Sequence, residues 1–239
     1  MDKTLFWKNR PGSPLLVIFP GGTGSHRPQS RGSDVIAAHF WQLGYSCYIS
    51  ETAGQDHRPG GFSLKNCLDE SRDSLKSAVA ELNPESIRFF ASCSGGAVAV
   101  SLAAETPATK AVVLWESPAR FSPASTEMFL QRAKAQGMCF AEDFHEVIFH
   151  LENKLDELRI PVALGYGHCE GGAFTKDDLS QMRAAFKRAG RSLCEVEIPG
   201  ADHSLTRGSN SSLLSLFLSR TTEFLTANEI PAVSQTDRP

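Results

Sequence analysis

The sequence predicts a single α/β domain whose mostly parallel β-sheet is covered by helices on both faces. Two observations predict this class. Short, β-rich apolar runs of strand length alternate along the chain with segments in which apolar residues recur at helical spacing. The chain also has 239 residues, 41% of them hydrophobic, which is enough to bury a sizeable core. In such a sheet the ligand site is expected beyond the carboxyl ends of the strands.

Six apolar runs are predicted as buried strands, and helical patterns lie between them. The predicted strands cover residues 15–19, 45–49, 87–90, 111–115, 161–164 and 194–198. The clearest helical patterns place apolar residues at Leu64, Leu68, Leu75, Val79 and Leu82, and at Leu179, Met182 and Phe186 with Gly190 as the C-cap.

A long interval separates the fourth predicted strand from the fifth. It carries two helical patterns, one around 124–136 and a cleaner one over 144–158. We expect residues 116–158 to form a small lid insertion, with a crossover helix and a long loop as the alternative. The single domain is expected to span 1–228, and the last residues, 229–239, to form a flexible tail because few of them can join a core.

Charge and composition narrow the function classes. The chain has 24 Lys and Arg residues against 27 Asp and Glu residues, and no block of like charge, which argues against a nucleic-acid partner. Its apolar runs are too short for a membrane span, and its first residues lack the pattern of a secretory signal. We therefore expect a cytoplasmic protein. Its oligomeric state is left open.

The six cysteines are scattered and include no C-x-x-C pair. A chain of this length does not need disulfides to be stable. We therefore expect a reduced protein that needs neither a metal nor another cofactor.

One segment, from Phe89 to Val100, runs from an apolar strand through a turn of small residues into a helical pattern. It resembles the nucleophile elbow of the α/β-hydrolase family, G-x-S-x-G, with Ser92 in place of the first glycine. The resemblance makes Ser94 the nucleophile and the N–H of Gly95 a donor to the oxyanion hole. Cys93 is interpreted as a packing residue, because the residue before the elbow serine usually points inward.

Two further loops resemble the same family. Residues 20–25, Pro-Gly-Gly-Thr-Gly-Ser, follow the first predicted strand as the family's oxyanion loop does, and this implies a second donor at Gly22, or at its neighbour Thr23. Residues 191–205 resemble the last strand and the catalytic-histidine loop. The resemblance makes His203 the general base that takes the proton of the serine hydroxyl.

The third member of the implied triad is a carboxylate that orients the histidine. Residues 159–170 resemble the family's strand-then-G-x-x-D segment, and Glu170 falls on the acid position. Glu116, directly after the fourth predicted strand, is an alternative, as are Asp177 and Asp178.

The resemblance covers roughly residues 14–226 and implies a serine hydrolase. Its expected substrate is a carboxylic ester or thioester of a small molecule, cleaved through an acyl-enzyme. An acyl-carrier or acyl-CoA thioesterase is one alternative, and a non-catalytic ligand-binding relative is another. Several apolar residues could line an acyl pocket beneath the lid or simply form core; they are Trp115, Met128, Phe129, Met138, Phe140, Phe144 and Phe149.

Overall fold

The fold was obtained as a computed structural model that describes residues 5–21, 32–50, 52, 60–121, 123–135, 138–142, 151–167, 174–203, 205 and 211–227. Its centre is a seven-stranded sheet. The strands are β1 (Leu5–Trp7), β2 (Leu15–Phe19), β3 (Ser46–Ile49), β4 (Ile87–Ser92), β5 (Thr109–Trp115), β6 (Val162–Tyr166) and β7 (Cys194–Glu197). They lie in the order β1-β3-β2-β4-β5-β6-β7. Only β1 is antiparallel to its neighbour; the six others run parallel.

The strands are connected mainly through helices. The described helices are α1 (Gly32–Gln42), α2 (Leu64–Leu82), α3 (Gly95–Glu105), α4 (Pro123–Ala135), α5 (Lys176–Arg188) and α6 (Ser211–Ala227), with a short 3-10 helix at Leu151–Lys154. Within the described parts of the chain, none of them is both long and apolar enough to cross a membrane.

Successive side chains of the central strands point to opposite faces of the sheet, so the core is divided between the two faces. In β2, Val17 packs into the cluster that contains residues of α2, α3 and α5, whereas Ile18 packs into the cluster that contains residues of α1 and α6. Because both faces are covered, all five residues of β2 are buried. The predicted α/β class, with helices on both faces of a mostly parallel sheet, is therefore confirmed.

All six predicted strands form, but β1 was not predicted. It has three residues at the edge of the sheet and pairs only with β3. Such a short segment gives too little alternation to be recognised in the sequence. The opposite edge strand, β7, is largely exposed, as expected for a strand that has one neighbour.

The predicted lid segment is described only in part. Its first helical pattern forms α4. Of the second pattern, residues 144–150 lie outside the described residues, while Leu151, Leu155 and Leu158 are buried in the same core cluster as residues of α3. The described end of the segment is thus packed into the main core. The tail at 229–239 also lies outside the described residues.

Two glycines at the start of α3 allow this helix to approach the strand ends closely. A Cβ atom at Gly95 would lie 2.7 Å from the carbonyl oxygen of Phe19, and one at Gly96 would lie 2.6 Å from the Cβ atom of Ser117. Backbone at the end of β2 cannot move without disturbing the sheet. The N-terminus of α3 is therefore fixed between the carboxyl ends of β2 and β5.

Gly95→Ala is expected to lower the free energy of unfolding by about 1–3 kcal/mol, because the added methyl group overlaps backbone at the end of β2. In an open helical position the same change stabilises a protein by about 1 kcal/mol. The sign of the change in the free energy of unfolding therefore distinguishes the two situations. Urea unfolding of the variant and the wild type measures it. A variant as stable as the wild type would contradict the packing described.

Candidate active site

The turn between β4 and α3 holds a non-glycine residue, Cys93, with a left-handed backbone. Cys93 follows β4 with φ at 52°, and its N–H donates to the carbonyl oxygen of Trp115 at 3.1 Å. Its own carbonyl accepts from the N–H of Gly96 at 3.1 Å, which closes the turn into α3. The side chain of Cys93 is partly exposed, so it is accessible at the carboxyl edge of the sheet.

Ser94 occupies a different position in the same turn. Its φ and ψ of -61° and -25° are helical, it occupies the N-cap position of α3 without a side-chain capping hydrogen bond, and only 2% of its surface is exposed. A left-handed backbone at a non-glycine residue costs about 1–3 kcal/mol and is concentrated at functional sites. That strain falls on Cys93. The elbow motif therefore fits one residue earlier, as Ala91-Ser92-Cys93-Ser94-Gly95, with Cys93 at its centre.

His203, on the loop after β7, lies next to the residues that follow β4 and β5. Its Nδ1 atom lies 2.8 Å from Oε2 of Glu116, and the side chain of Cys93 lies close enough to the ring to raise the pKa of His203. The backbone carbonyl of His203 accepts a hydrogen bond from Nε1 of the buried Trp115 at 3.1 Å. The structure thus brings a thiol, an imidazole and a carboxylate together in that order.

Glu116 is fixed by two elements besides the histidine. It directly follows β5, is 3% exposed and has φ at 43°. Its Oε1 atom accepts from the N–H of Gly167 at 3.0 Å, and its own N–H donates to the carbonyl of Gly165 at 2.9 Å. A Cβ atom at Gly167 would lie 2.0 Å from the carbonyl oxygen of Ala201, so this carboxylate sits where β6 and the histidine loop meet.

The pKa of His203 is raised to about 10 by these neighbours. Burial is the largest single influence and lowers the pKa, but the charge and hydrogen bond of Cys93, followed by the hydrogen bond and charge of Glu116, outweigh it. The imidazolium form is favoured because an anion can face it on either side. The ring is therefore suited to hold a positive charge beside the cysteine.

The loop after β2, which was predicted to carry an oxyanion donor, begins beside the same turn. A Cβ atom at Gly21 would lie 3.1 Å from the Cβ atom of Cys93, so the backbone at Gly21 passes directly beside the Cys93 side chain. Gly22, the predicted donor, and Thr23 lie outside the described residues. Gly95, the other predicted donor, begins α3 next to the ends of β2.

The three residues predicted as a triad, Ser94, Glu170 and His203, differ in where the structure places them. Ser94 is buried, whereas the neighbouring Cys93 is partly exposed and helps to raise the pKa of His203. Cys93, interpreted from the sequence as an inward packing residue, is instead partly exposed and has the left-handed turn conformation. Glu170 lies outside the described residues. The carboxylate that bonds His203 is Glu116, the alternative named from the sequence.

The remaining acid candidates have local roles. Asp178 closes a capping box with Thr175 at the start of α5, and Asp177 accepts a hydrogen bond from Gln181 one turn further along. One signal could have identified Cys93 from the sequence. Read one residue earlier, the elbow motif keeps its second glycine at Gly95 and has the small Ala91 at the position of the first.

The similarity to solved structures extends over nearly the whole chain. The α/β-hydrolase enzyme MGS-MChE2, from a lagoon-sediment metagenome, is 16% identical with a TM-score of 0.64, over 96% of this chain and 98% of that one. Est1E from Butyrivibrio proteoclasticus, solved with ferulic acid bound, is 17% identical with a TM-score of 0.66, over 94% and 95%. Dienelactone hydrolase from Anabaena variabilis is 15% identical with a TM-score of 0.62, over 91% and 87%.

No protein-family model and no curated protein matches the sequence of this chain. The evidence for its fold therefore comes from the comparison of structures. These neighbours superimpose on this chain with TM-scores of 0.62 to 0.66 over 91% of its residues or more. The chain has the α/β-hydrolase fold.

Proposed function

We propose that this protein is a cysteine-dependent hydrolase that cleaves a carboxylic ester or thioester of a small molecule through an acyl-enzyme. Cys93 is the nucleophile, His203 the general acid and base, and Glu116 the residue that orients the imidazole. The observation that carries the proposal is the left-handed backbone of Cys93 in the turn between β4 and α3, beside His203, whose pKa the Cys93 side chain helps to raise. Esterase and dienelactone hydrolase neighbours support the ester class.

The acylation step uses the pair of Cys93 and His203. The thiolate sulfur attacks the carbonyl carbon, forming a C–S bond and a tetrahedral oxyanion. The oxyanion collapses as the bond to the leaving oxygen or sulfur breaks, and His203 donates its proton to that atom. Glu116 accepts the hydrogen bond from Nδ1, which fixes the ring so that the other nitrogen faces the reaction.

Deacylation returns the enzyme to its starting state. Neutral His203 takes a proton from water as the water oxygen attacks the thioester carbon. The C–S bond then breaks, the carboxylic acid leaves, and the thiolate again faces an imidazolium. The backbone N–H of Ser94 follows the nucleophile at the N-terminus of α3, where helix amides favour negative charge, and we assign it to the oxyanion. Gly22 is retained as the second proposed donor.

Cys93→Ala is expected to lower kcat by about 10⁴-fold or more, because no other group can replace the nucleophile. Ser94→Ala keeps the backbone N–H and should lower kcat far less. Hydrolysis of p-nitrophenyl and thiol esters by the two variants measures the difference. A Ser94→Ala variant as inactive as Cys93→Ala would indicate that Ser94 is the nucleophile.

Alkylation of Cys93 by iodoacetamide at pH ~6.5 should be at least about tenfold faster than alkylation of the exposed Cys139 and Cys194. A histidine with a pKa of about 10 stays protonated there and places a positive charge beside the sulfur of Cys93. Peptide mass spectrometry measures all three rates at once.

Equal rates for the three cysteines at this pH would contradict the pairing of Cys93 with a protonated His203. The matched variant His203→Gln should abolish the advantage of Cys93 and leave Cys139 and Cys194 unchanged.

Glu116→Gln is expected to lower kcat by about 10²-fold or more, because an amide retains the shape of the side chain but cannot stabilise the imidazolium. Glu170→Gln is the matched control at the other candidate acid and should change kcat less than about twofold, because the proposal gives Glu170 no part in the reaction. The opposite ranking would make Glu170 the acid.

A further inference from the structure

The side chain of Trp115, the last residue of β5, is buried and packed against two neighbouring elements. It is 1% exposed, and its ring centroid lies 4.9 Å from that of Phe217 in α6, with an angle of 67° between the rings. A Cβ atom at Gly165 of β6 would lie 2.7 Å from Cε3 of Trp115, so the indole packs directly on the backbone of that strand. Because a close-packed ring has little freedom to move, the indole keeps one position relative to the sheet.

The indole N–H of Trp115 binds the loop that carries His203. It donates to the backbone carbonyl of His203 at 3.1 Å. A buried indole N–H needs an acceptor, and here the acceptor belongs to the proposed general base itself. The hydrogen bond therefore joins the rigid centre of the sheet to the residue whose ring acts in the proposed reaction.

His203 is fixed at both ends by consecutive residues. Trp115 binds its backbone carbonyl, and Glu116 binds Nδ1 of its ring at 2.8 Å. The bond to the carboxylate alone leaves the backbone of the histidine free to shift about that contact. With the backbone bound as well, the two side-chain torsions of His203 have few alternatives, since they must span two fixed points.

The hydrogen bonds within the histidine loop do not place it relative to the nucleophile. Two of them close four-residue turns, at 198–201 and at 202–205, with N to O distances of 3.0 and 3.1 Å. Such bonds shape the loop locally. Trp115 relates the loop to the turn between β4 and α3, because its backbone carbonyl also accepts a hydrogen bond from the N–H of Cys93 at 3.1 Å.

We propose that Trp115 is a positioning residue of the active site: its indole N–H holds the backbone of His203 where the imidazole can serve Cys93. This inference rests on the proposed function, because it needs the thiol as nucleophile and the imidazole as its acid and base. A misplacement of about 1 Å can lower a rate about 100-fold, so loss of this hydrogen bond should slow the chemical steps. Because the indole does not bind the substrate in this proposal, KM should change little.

The test compares Trp115→Phe with Trp41→Phe. Trp41 is the matched control, because its indole also donates to a backbone carbonyl, that of Lys8 at 2.9 Å. Lys8 follows β1 and lies near the amino end of β3, whereas the site lies at the carboxyl ends of the strands. Trp115→Phe should lower kcat for p-nitrophenyl butyrate by about tenfold or more and change KM less than about twofold. Trp41→Phe should leave both constants within about twofold of the wild type.

Alkylation of Cys93 is a readout that a merely structural role of the indole would not change. Because Trp115 is expected to keep His203 beside the sulfur, Trp115→Phe should slow the reaction of Cys93 with iodoacetamide at pH ~6.5 by about threefold or more. Cys139 and Cys194 should react as in the wild type. A second variant, with benzothienylalanine at position 115, replaces the indole N–H with sulfur at nearly the same volume. It should behave like Trp115→Phe, and it provides the test if the smaller ring folds poorly.

The outcomes separate this inference from the proposed function. Circular dichroism establishes which variants are folded. Wild-type values of kcat or of the Cys93 alkylation rate in a folded variant at position 115 would overturn the positioning role and leave the cysteine hydrolase standing. An equal loss of kcat in Trp41→Phe would do the same, because it would indicate a general effect of destabilisation. Absence of Cys93-dependent hydrolysis by the wild type would overturn the proposed function and this inference together.

Discussion

The carboxyl end of β5 is the point through which the candidate active site is assembled. Trp115 accepts a hydrogen bond from the backbone of Cys93 and donates one from its indole to the backbone of His203. Glu116, the next residue, binds the imidazole with its carboxylate. Two consecutive residues therefore set the position of the turn that holds Cys93 and of the loop that holds His203. The ring of Trp115 is itself locked against Phe217 of α6, at 4.9 Å between centroids.

This arrangement follows from the parallel sheet. Parallel strands end at the same edge, so turns that leave β2, β4, β5, β6 and β7 meet there although they are distant in the chain. Small residues make the approach possible: Gly21 lies against Cys93, Gly95 against the end of β2, and Gly167 against Ala201. In return, Cys93 and Glu116 adopt left-handed backbone conformations that only the surrounding contacts can maintain.

Much of this could be predicted from the sequence, since the central strands are continuous apolar runs and the helices show clear periodicity. The strand and the Pro-Gly turn before His203 made it the predicted general base, and the proposed function keeps that prediction. For the nucleophile the sequence predicted Ser94 and the proposal takes Cys93, because Ser92, Cys93 and Ser94 are all small and the motif fits in two registers. Backbone torsion distinguishes the registers, and a sequence does not display it.

The choice of acid depended on geometry in the same way. In the sequence, Glu116 and Glu170 each follow a predicted strand, so either was expected at the carboxyl edge of the sheet, where the site lies. What distinguishes Glu116 is the pair of hydrogen bonds that orient its two oxygens, one toward the imidazole and one toward the N–H of Gly167. These contacts depend on how closely β6 and the histidine loop approach each other, which no local pattern encodes.

The central claim is that an acyl group is carried by the sulfur of Cys93, and trapping that intermediate tests it most directly. The enzyme would be mixed with p-nitrophenyl butyrate, quenched in acid during turnover, digested and sequenced by mass spectrometry, with half of the sample first exposed to neutral hydroxylamine. The account predicts a butyryl group on Cys93 that neutral hydroxylamine removes, as it does thioesters. A hydroxylamine-resistant butyryl group on Ser94 would contradict it.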